Sequence, residues 1–247
     1  MISIIIIGNE ILSAKVADTN LAHMLVKLNQ ASYPIDEVRI IRDDIATIRD
    51  TVRELSIRSN FVISTGGVGP THDDVTLEAY AAAFEVPLIL HAELEAKIRA
   101  FFGDKITPSS LRMARVPANT RLVDMGAKSW PLIKVSNCFV LPGLPEVFVK
   151  KFEGVLSDLP RVPDTFYAEL RTSSDESDFA VALAGHQTRF PQVELGSYPT
   201  YDRTEYAAKV TLSGTDQEAL AEVFALLKTV FQEMGSLVDV QEPRRNG

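Results

Sequence analysis

Hydrophobic residues open the chain as one continuous β-branched run, ISIIII over residues 2–7, which is bounded by a glycine and too short for most helices. Such a run suits a central strand buried on both faces. The period then changes. Leu21, Met24, Leu25 and Leu28 recur at three- and four-residue spacing, which predicts a helix with Asp18 at its N-terminal cap. IDEVRII over 35–41 predicts a second strand. Ile45, Ile48, Val52 and Leu55 predict the helix after it, capped by Asp43 or Asp44. FVIS over 61–64 predicts a third strand that runs directly into STGGVGPTHDDVT over 64–76. Strands alternating with helices imply right-handed crossovers and a parallel sheet covered on both faces.

The middle of the chain, 92–116, reads as helical with a break near GDKITPSS, and FVLPGLPEVF over 139–148 as strand, turn and helix with Pro145 in its first turn. Two prolines in DLPRVPDT, 158–165, mark a linker. Beyond it the pattern is strand (166–171), helix (175–189), two strands (192–198, 206–214), helix (216–234) and strand (237–240). That β-α-β-β-α-β order predicts a small split-βαβ layer. The expected architecture is an α/β domain over 1–162 with a mostly parallel sheet, a small α+β domain over 163–242, and a loose tail at 243–247.

Composition narrows the chemistry. A 46% hydrophobic fraction over 247 residues fits a compact globular protein. The net charge of −8 argues against non-specific nucleic-acid binding, which needs a basic surface to release counterions. A small anion remains compatible, because backbone N–H groups and a divalent ion bind phosphate without a basic protein. The N-terminal run is short and lacks preceding basic residues, so neither a signal peptide nor a membrane span is read there, and a cytoplasmic protein is expected. The single cysteine, Cys138, leaves no intrachain disulfide and reads as an inert buried thiol. His23, His91 and Trp130 read as packing residues, and His186 carries no assignment.

Ligands of open α/β sheets collect outside the carboxyl ends of the strands. GNE (8–10), RDD (42–44) and the glycine loop all fall at that edge. Gly66, Gly67 and Gly69 permit close approach of an anion to successive N–H groups, and Thr65, Thr71 and Thr76 add hydroxyls. The loop has no P-loop lysine and its glycine spacing is not a dinucleotide fingerprint. Asp73 and Asp74 have two readings, helix cap or metal ligand. A cap needs one carboxylate where two stand here, and Asp43 lies at a neighbouring strand end. Carboxylates from separate strand ends can share a Mg²⁺-like ion with water and substrate phosphate. His72 is a candidate general acid, and Asn9 and Glu10 are candidate ligand contacts.

IGNEILSAKVADTN, STGGVGPTHDDVT and VLPGLPEVF, in that order, resemble the molybdopterin-binding-like (MoaB/Mog) fold family. The branch they resemble most holds the N-terminal domains of competence/damage-inducible protein A (CinA) and of FAD synthase. FPQVELGSYPTYDRTEYAAKVTLSG is similar to the segment that follows this fold in FAD synthase. The resemblance implies a three-layer sandwich and a pyrophosphatase assisted by Mg²⁺, Mn²⁺ or Co²⁺, which splits FAD or ADP-ribose into AMP and a second phosphate. It places the family's glycine loop and two metal-binding aspartates on Gly66, Gly67, Gly69, Asp43 and Asp74, and its proline-glycine turn on Pro142, Gly143 and Pro145. It also implies a homo-oligomer, dimer or trimer, and the hydrolase-like half alone, without a deamidase or an FAD-forming domain. A molybdopterin-binding or adenylyl-transferring protein of cofactor biosynthesis is the alternative, and a non-catalytic nucleotide-binding module is a third.

Overall fold

The computed structural model describes residues 1–126 and 129–246. The chain forms two compact units, one of residues 1–29 and 33–160 and one of residues 30–32 and 161–247. The β-branched opening run is strand β1 (Ile2–Ile7), buried along its whole length. After a short helix α1 (Asn9–Leu12) come helix α2 (Asn20–Gln30), strand β2 (Ile35–Ile41), helix α3 (Ile45–Arg58) and strand β3 (Phe61–Thr65). Helix α4 (Thr76–Ala83) closes the glycine loop. It is followed by β4 (Leu88–Leu90), α5 (Ala92–Phe102), α6 (Pro108–Arg112) and β5 (Arg115–Pro117). Three short strands, β6 (Thr120–Val123), β7 (Leu132–Val135) and β8 (Cys138–Leu141), lead into α7 (Pro145–Asp158).

The six-stranded sheet has the order β2-β1-β3-β8-β7-β6. β2, β1, β3 and β8 are parallel; β7 pairs antiparallel with β8, and β6 antiparallel with β7. Alternate side chains of β1 serve opposite faces. Ile5 and Ile7 pack with Ile48, Val52 and Leu55 of α3 and with Leu77 and Tyr80 of α4. Ile2, Ile4 and Ile6 pack with Met24 and Leu28 of α2 and with Phe148 and Phe152 of α7. The result is the expected three-layer sandwich. Because β1 connects to β2 on one side and β3 lies on its other side, the strand order reverses between β1 and β3. That reversal is where open sheets leave a crevice at their carboxyl edge.

Two regions depart from the sequence reading. Residues 92–116 do not end as helix, because Arg115–Pro117 pairs antiparallel with Leu88–Leu90. In the second unit, β9 (Phe166–Thr172), α8 (Glu176–Arg189), β10 (Val193–Pro199), β11 (Ala208–Gly214), α9 (Gln217–Glu233) and β12 (Leu237–Arg245) give the predicted order. Its sheet runs β10-β11-β9-β12, over a core that includes Leu170, Val210, Leu220 and Phe231. The tail expected to be loose at 243–247 is strand through Arg245, because Arg244 and Arg245 pair with Tyr167 and Phe166 of β9. Residue 247 lies outside the described residues.

The packing readings hold for Trp130 and His23. Trp130 meets Phe101 edge-on with centroids 5.9 Å apart. His23 sits edge-on to Phe148 and Phe152. Burial pushes the Cys138 thiol up to about 12, which leaves it protonated and unreactive.

Lys151 of α7 is half-buried, with its charge held against backbone carbonyls. Its ammonium donates to the Pro131 carbonyl at 2.6 Å, and burial lowers its pKa from 10.5 to about 8. A lysine whose folded pKa is depressed contributes stability above its unfolded value, and that stability is lost as pH falls through the folded one. The wild-type protein should therefore gain stability as pH rises from about 8 to 10.5. Lys151→Met removes the charge and is expected to raise stability at pH 7 by about 2 kcal/mol and to flatten that rise. Urea titrations at pH 7 and pH 10 check both effects.

Candidate functional site

The carboxyl ends of β1, β3 and β8 converge on the glycine loop. Gly66 leaves β3 with φ +109°, and a Cβ placed there would lie 2.0 Å from the Ile7 carbonyl at the end of β1. Its N–H donates to the Leu141 carbonyl of β8 at 3.1 Å. Gly67 follows with φ +64°. The chain then returns, and the Thr76 N–H donates to the Gly67 carbonyl at 3.0 Å, which seats α4 against the loop. Among the described residues, no protein acceptor meets the N–H groups of Gly67, Val68 or Gly69. Free amides next to the start of a buried helix are the arrangement that receives phosphate oxygens.

Asp43 and Asp74 flank this stretch, each held by one oxygen. The Asn9 N–H donates to Asp43 Oδ2 at 2.8 Å, tying the end of β1 to the end of β2. The other oxygen, Oδ1, faces Gly67, 3.2 Å from where a Cβ would stand. Asp74 Oδ2 accepts from the Thr71 N–H at 2.8 Å and from the Thr71 hydroxyl, and the same carboxylate lies against Gly69. Neither Asp73 nor Asp74 caps α4, whose cap position is Val75 with no side-chain bond. At α3 the cap is Asp44, which accepts from Thr47 N–H at 2.8 Å and leaves Asp43 free for other work.

Half-burial raises the pKa of Asp43, and the Glu10 and Asp73 carboxylates add to the rise, while the Asn9 hydrogen bond opposes it. Glu10 folds back over Gly8, where a Cβ would meet its Oε1 at 2.6 Å. Three acidic groups thus act on one rim. Among the described residues no arginine or lysine pairs with Asp43, Glu10, Asp73 or Asp74. Oxygen donors that no ammonium or guanidinium pairs directly fit a hard divalent ion. No group of three or more His, Cys, Asp or Glu among the described residues can cage such an ion alone, so water or substrate oxygens would complete its shell.

Several expected ligand contacts are made within the loop instead. Gly66 has already given its N–H to β8. Thr65 is buried and donates to the Pro142 carbonyl at 2.9 Å, and Thr76 is buried and donates to the Gly66 carbonyl at 2.9 Å. Their hydroxyls fix the loop's shape. Gly143 and Pro145 line a cleft of about 90 Å³ together with Glu10, Asn20, Thr65 and Gly66. His72 and Asp73 are exposed at the loop tip.

Two further residues of the site are given no role by the sequence reading. Arg112 of α6 donates to the carbonyls of Thr71 (2.6 Å) and Asp74 (3.1 Å) and to Glu78 Oε1 (3.1 Å), fastening the far half of the loop. It lies too far along the chain for any local spacing rule to find. Asn20, the first residue of α2, reaches Gly143 and Thr65. Its signal was the polar ADTN stretch ahead of the apolar helix face, where Asp18 was read as a cap and indeed accepts from Leu21 N–H at 2.7 Å.

Comparison with known proteins matches residues 3–163 to the probable molybdopterin binding domain. The chain belongs to that family. Residues 164–239 match the middle domain of FAD synthase, so both units have a counterpart in one enzyme family. A probable FAD synthase of Caenorhabditis briggsae is 28% identical over 92% of this chain and 48% of its own length. A CinA-like protein of Desulfosudis oleivorans is 30% identical over 76% of this chain and 49% of its own. The chain thus spans about half the length of these curated relatives. A crystal structure of the CinA protein of Thermoplasma acidophilum, of unknown function, covers 64% of this chain and 96% of its own with 28% identity and a TM-score of 0.58. Among the described residues no helix of this molybdopterin-binding-domain protein is long and apolar enough to cross a membrane.

Proposed function

We propose that the protein is a divalent-metal-dependent nucleotide pyrophosphatase that hydrolyses a dinucleotide-type diphosphate, FAD or ADP-ribose, to AMP and a second phosphate. One observation carries the reading. Asp43 and Asp74 are each oriented by a backbone N–H and turn toward Gly67 and Gly69, at the two ends of a run of free loop amides. The amides of Gly67, Val68 and Gly69 take the phosphate oxygens, and the first turn of α4 adds its positive end. Asp43 Oδ1 and the Asp74 carboxylate would hold the ion, with Asp73 and Glu10 at the rim. A bound divalent ion supplies charge neutralisation between carboxylates and diphosphate, polarisation of a phosphoryl oxygen and a lowered pKa for water. Thr65, Thr76 and Arg112 fix the shape of the loop that carries these groups. The match of the second unit to the FAD synthase middle domain supports a flavin-type dinucleotide as one substrate to try.

The test incubates the full chain with FAD and, separately, ADP-ribose in Mg²⁺, Mn²⁺ or Co²⁺, and resolves the products chromatographically. AMP is the expected product common to both, and EDTA is expected to stop its release. AMP formation at equal rates with EDTA present would overturn metal dependence. Tight nucleotide binding without AMP under any of the ions would leave a binding module in place of an enzyme.

A further inference from the structure

The cleft beside the glycine loop holds a buried polar atom with no partner. Asn20 is 4% exposed, and its Oδ1 accepts no hydrogen bond in the protein. The orientation of this amide is fixed by its neighbours. Asn20 Nδ2 donates to the Gly143 carbonyl at 2.8 Å, and a carbonyl can only accept. Nδ2 also lies 3.4 Å from Thr65 Oγ1, whose own hydrogen goes to the Pro142 carbonyl. Turning the amide over would set oxygen against two acceptors. Oδ1 is therefore the atom left over, and a buried acceptor without a donor is costly enough that its partner needs identifying.

The surroundings say what kind of partner fits. Glu10 and Asp18 line the same cleft, so it disfavours phosphate, which goes to the loop amides instead. Ile6, Ile11, Val16 and Pro145 supply apolar walls suited to a flat ring. The outer wall is the irregular segment 13–19, in which Val16 is 52% exposed and its N–H, like that of Lys15, donates to the Glu10 carbonyl. Apolar walls beside an unpaired amide oxygen suit an uncharged heteroaromatic edge that carries an N–H.

We propose that Asn20 Oδ1 accepts a hydrogen bond from the exocyclic amine of an adenine-type base, which makes Asn20 the base-selecting residue of the site. The proposal rests on the pyrophosphatase reading only in choosing the AMP half shared by both candidate substrates. It predicts discrimination that phosphate binding alone does not give. Inosine presents a carbonyl where adenosine presents the amine, so two acceptors would oppose each other. A site built to receive a hydrogen bond rejects an analogue unable to donate it far more strongly than an apolar pocket rejects an extra methylene.

The experiment measures AMP, IMP and FMN binding by calorimetry in Mg²⁺, on the wild-type chain and on Asn20→Leu. The wild type is expected to bind AMP at least about tenfold more tightly than IMP, a comparison that needs no variant to fold. Asn20→Leu is expected to lose that preference, chiefly by weakening AMP. Equal binding of AMP and IMP by the wild type overturns the assignment, and so does a variant that weakens FMN while leaving AMP untouched. AMP release from FAD without this discrimination would overturn the role of Asn20 and leave the pyrophosphatase reading standing. Discrimination without release would do the reverse, and no binding of either purine nucleotide would overturn both.

Discussion

Asp43→Asn is expected to cut AMP release by about 10²–10³-fold while raising the temperature of thermal unfolding. The two effects have one cause. Asp43 sits half-buried at the end of β2, and burial, with the Glu10 and Asp73 carboxylates beside it, raises its pKa from the ordinary value. A group whose folded pKa is raised binds more protons in the native state than in the unfolded chain. Stability then falls as pH rises through the folded pKa, and at neutral pH the ionised carboxylate is a standing cost. Asparagine keeps an oxygen for the Asn9 N–H and removes the charge. The variant should therefore gain most over wild type at neutral pH and least in acid, where the native carboxyl is protonated. A divalent ion reverses the situation, because the same unpaired charge becomes its ligand. Mg²⁺ should accordingly raise the melting temperature of the wild type more than that of the variant. Calorimetric scans at pH 4 and pH 7, with and without Mg²⁺, beside the AMP assay, check this. A variant that is less stable at pH 7 would show that Asp43 is a structural hydrogen-bond acceptor and not a strained ligand.

This balance also shows why parts of the site were legible in the sequence and others were not. Strands β1 and β3 announce themselves because apolar runs buried on both faces have few alternative structures, and β2, at the sheet edge, by its β-branched content. The carboxyl edge then follows from topology, which is how Asp43 and the glycine loop could be set side by side without coordinates. The roles of Thr65 and Thr76 were hidden, because a hydroxyl beside a glycine loop reads alike whether it faces a ligand or braces the backbone, and only burial separates the two. Strands β4 to β7 were missed since they are three or four residues long, too short for a period to register. Arg112 was invisible for a different reason. Two of its partners are the backbone carbonyls of Thr71 and Asp74, which have no residue identity to recognise, and the third, the Glu78 carboxylate, is distant in sequence. The tail failed by composition: Pro243, Arg244 and Arg245 look like a loose end, yet β9 offers them an open strand edge to pair with.

Among the loop glycines, Gly66→Ala is expected to cost the fold about 3 kcal/mol or more, whereas Gly69→Ala should cost the activity and leave stability within about 1 kcal/mol. At Gly66 the φ of +109° is disfavoured for any side chain, and the new methyl would stand 2.0 Å from the Ile7 carbonyl oxygen and 3.0 Å from its carbon. Those atoms are backbone of the central strand, hydrogen-bonded on both sides, and they cannot yield without parting β1 from β3. The Gly66 N–H bond to Leu141 would be strained in the same movement, so the three strand ends that define the crevice separate together. At Gly69 the methyl meets Asp74 Oδ2 at 2.7 Å, which is the end of a side chain. That carboxylate can rotate away, losing its bonds to Thr71 and with them the orientation proposed for ion binding. Urea unfolding and AMP release measured on both variants separate the two glycines. Equal losses of stability at the two positions would mean that the loop moves as one rigid piece. Full activity in Gly69→Ala would remove Asp74 from the site.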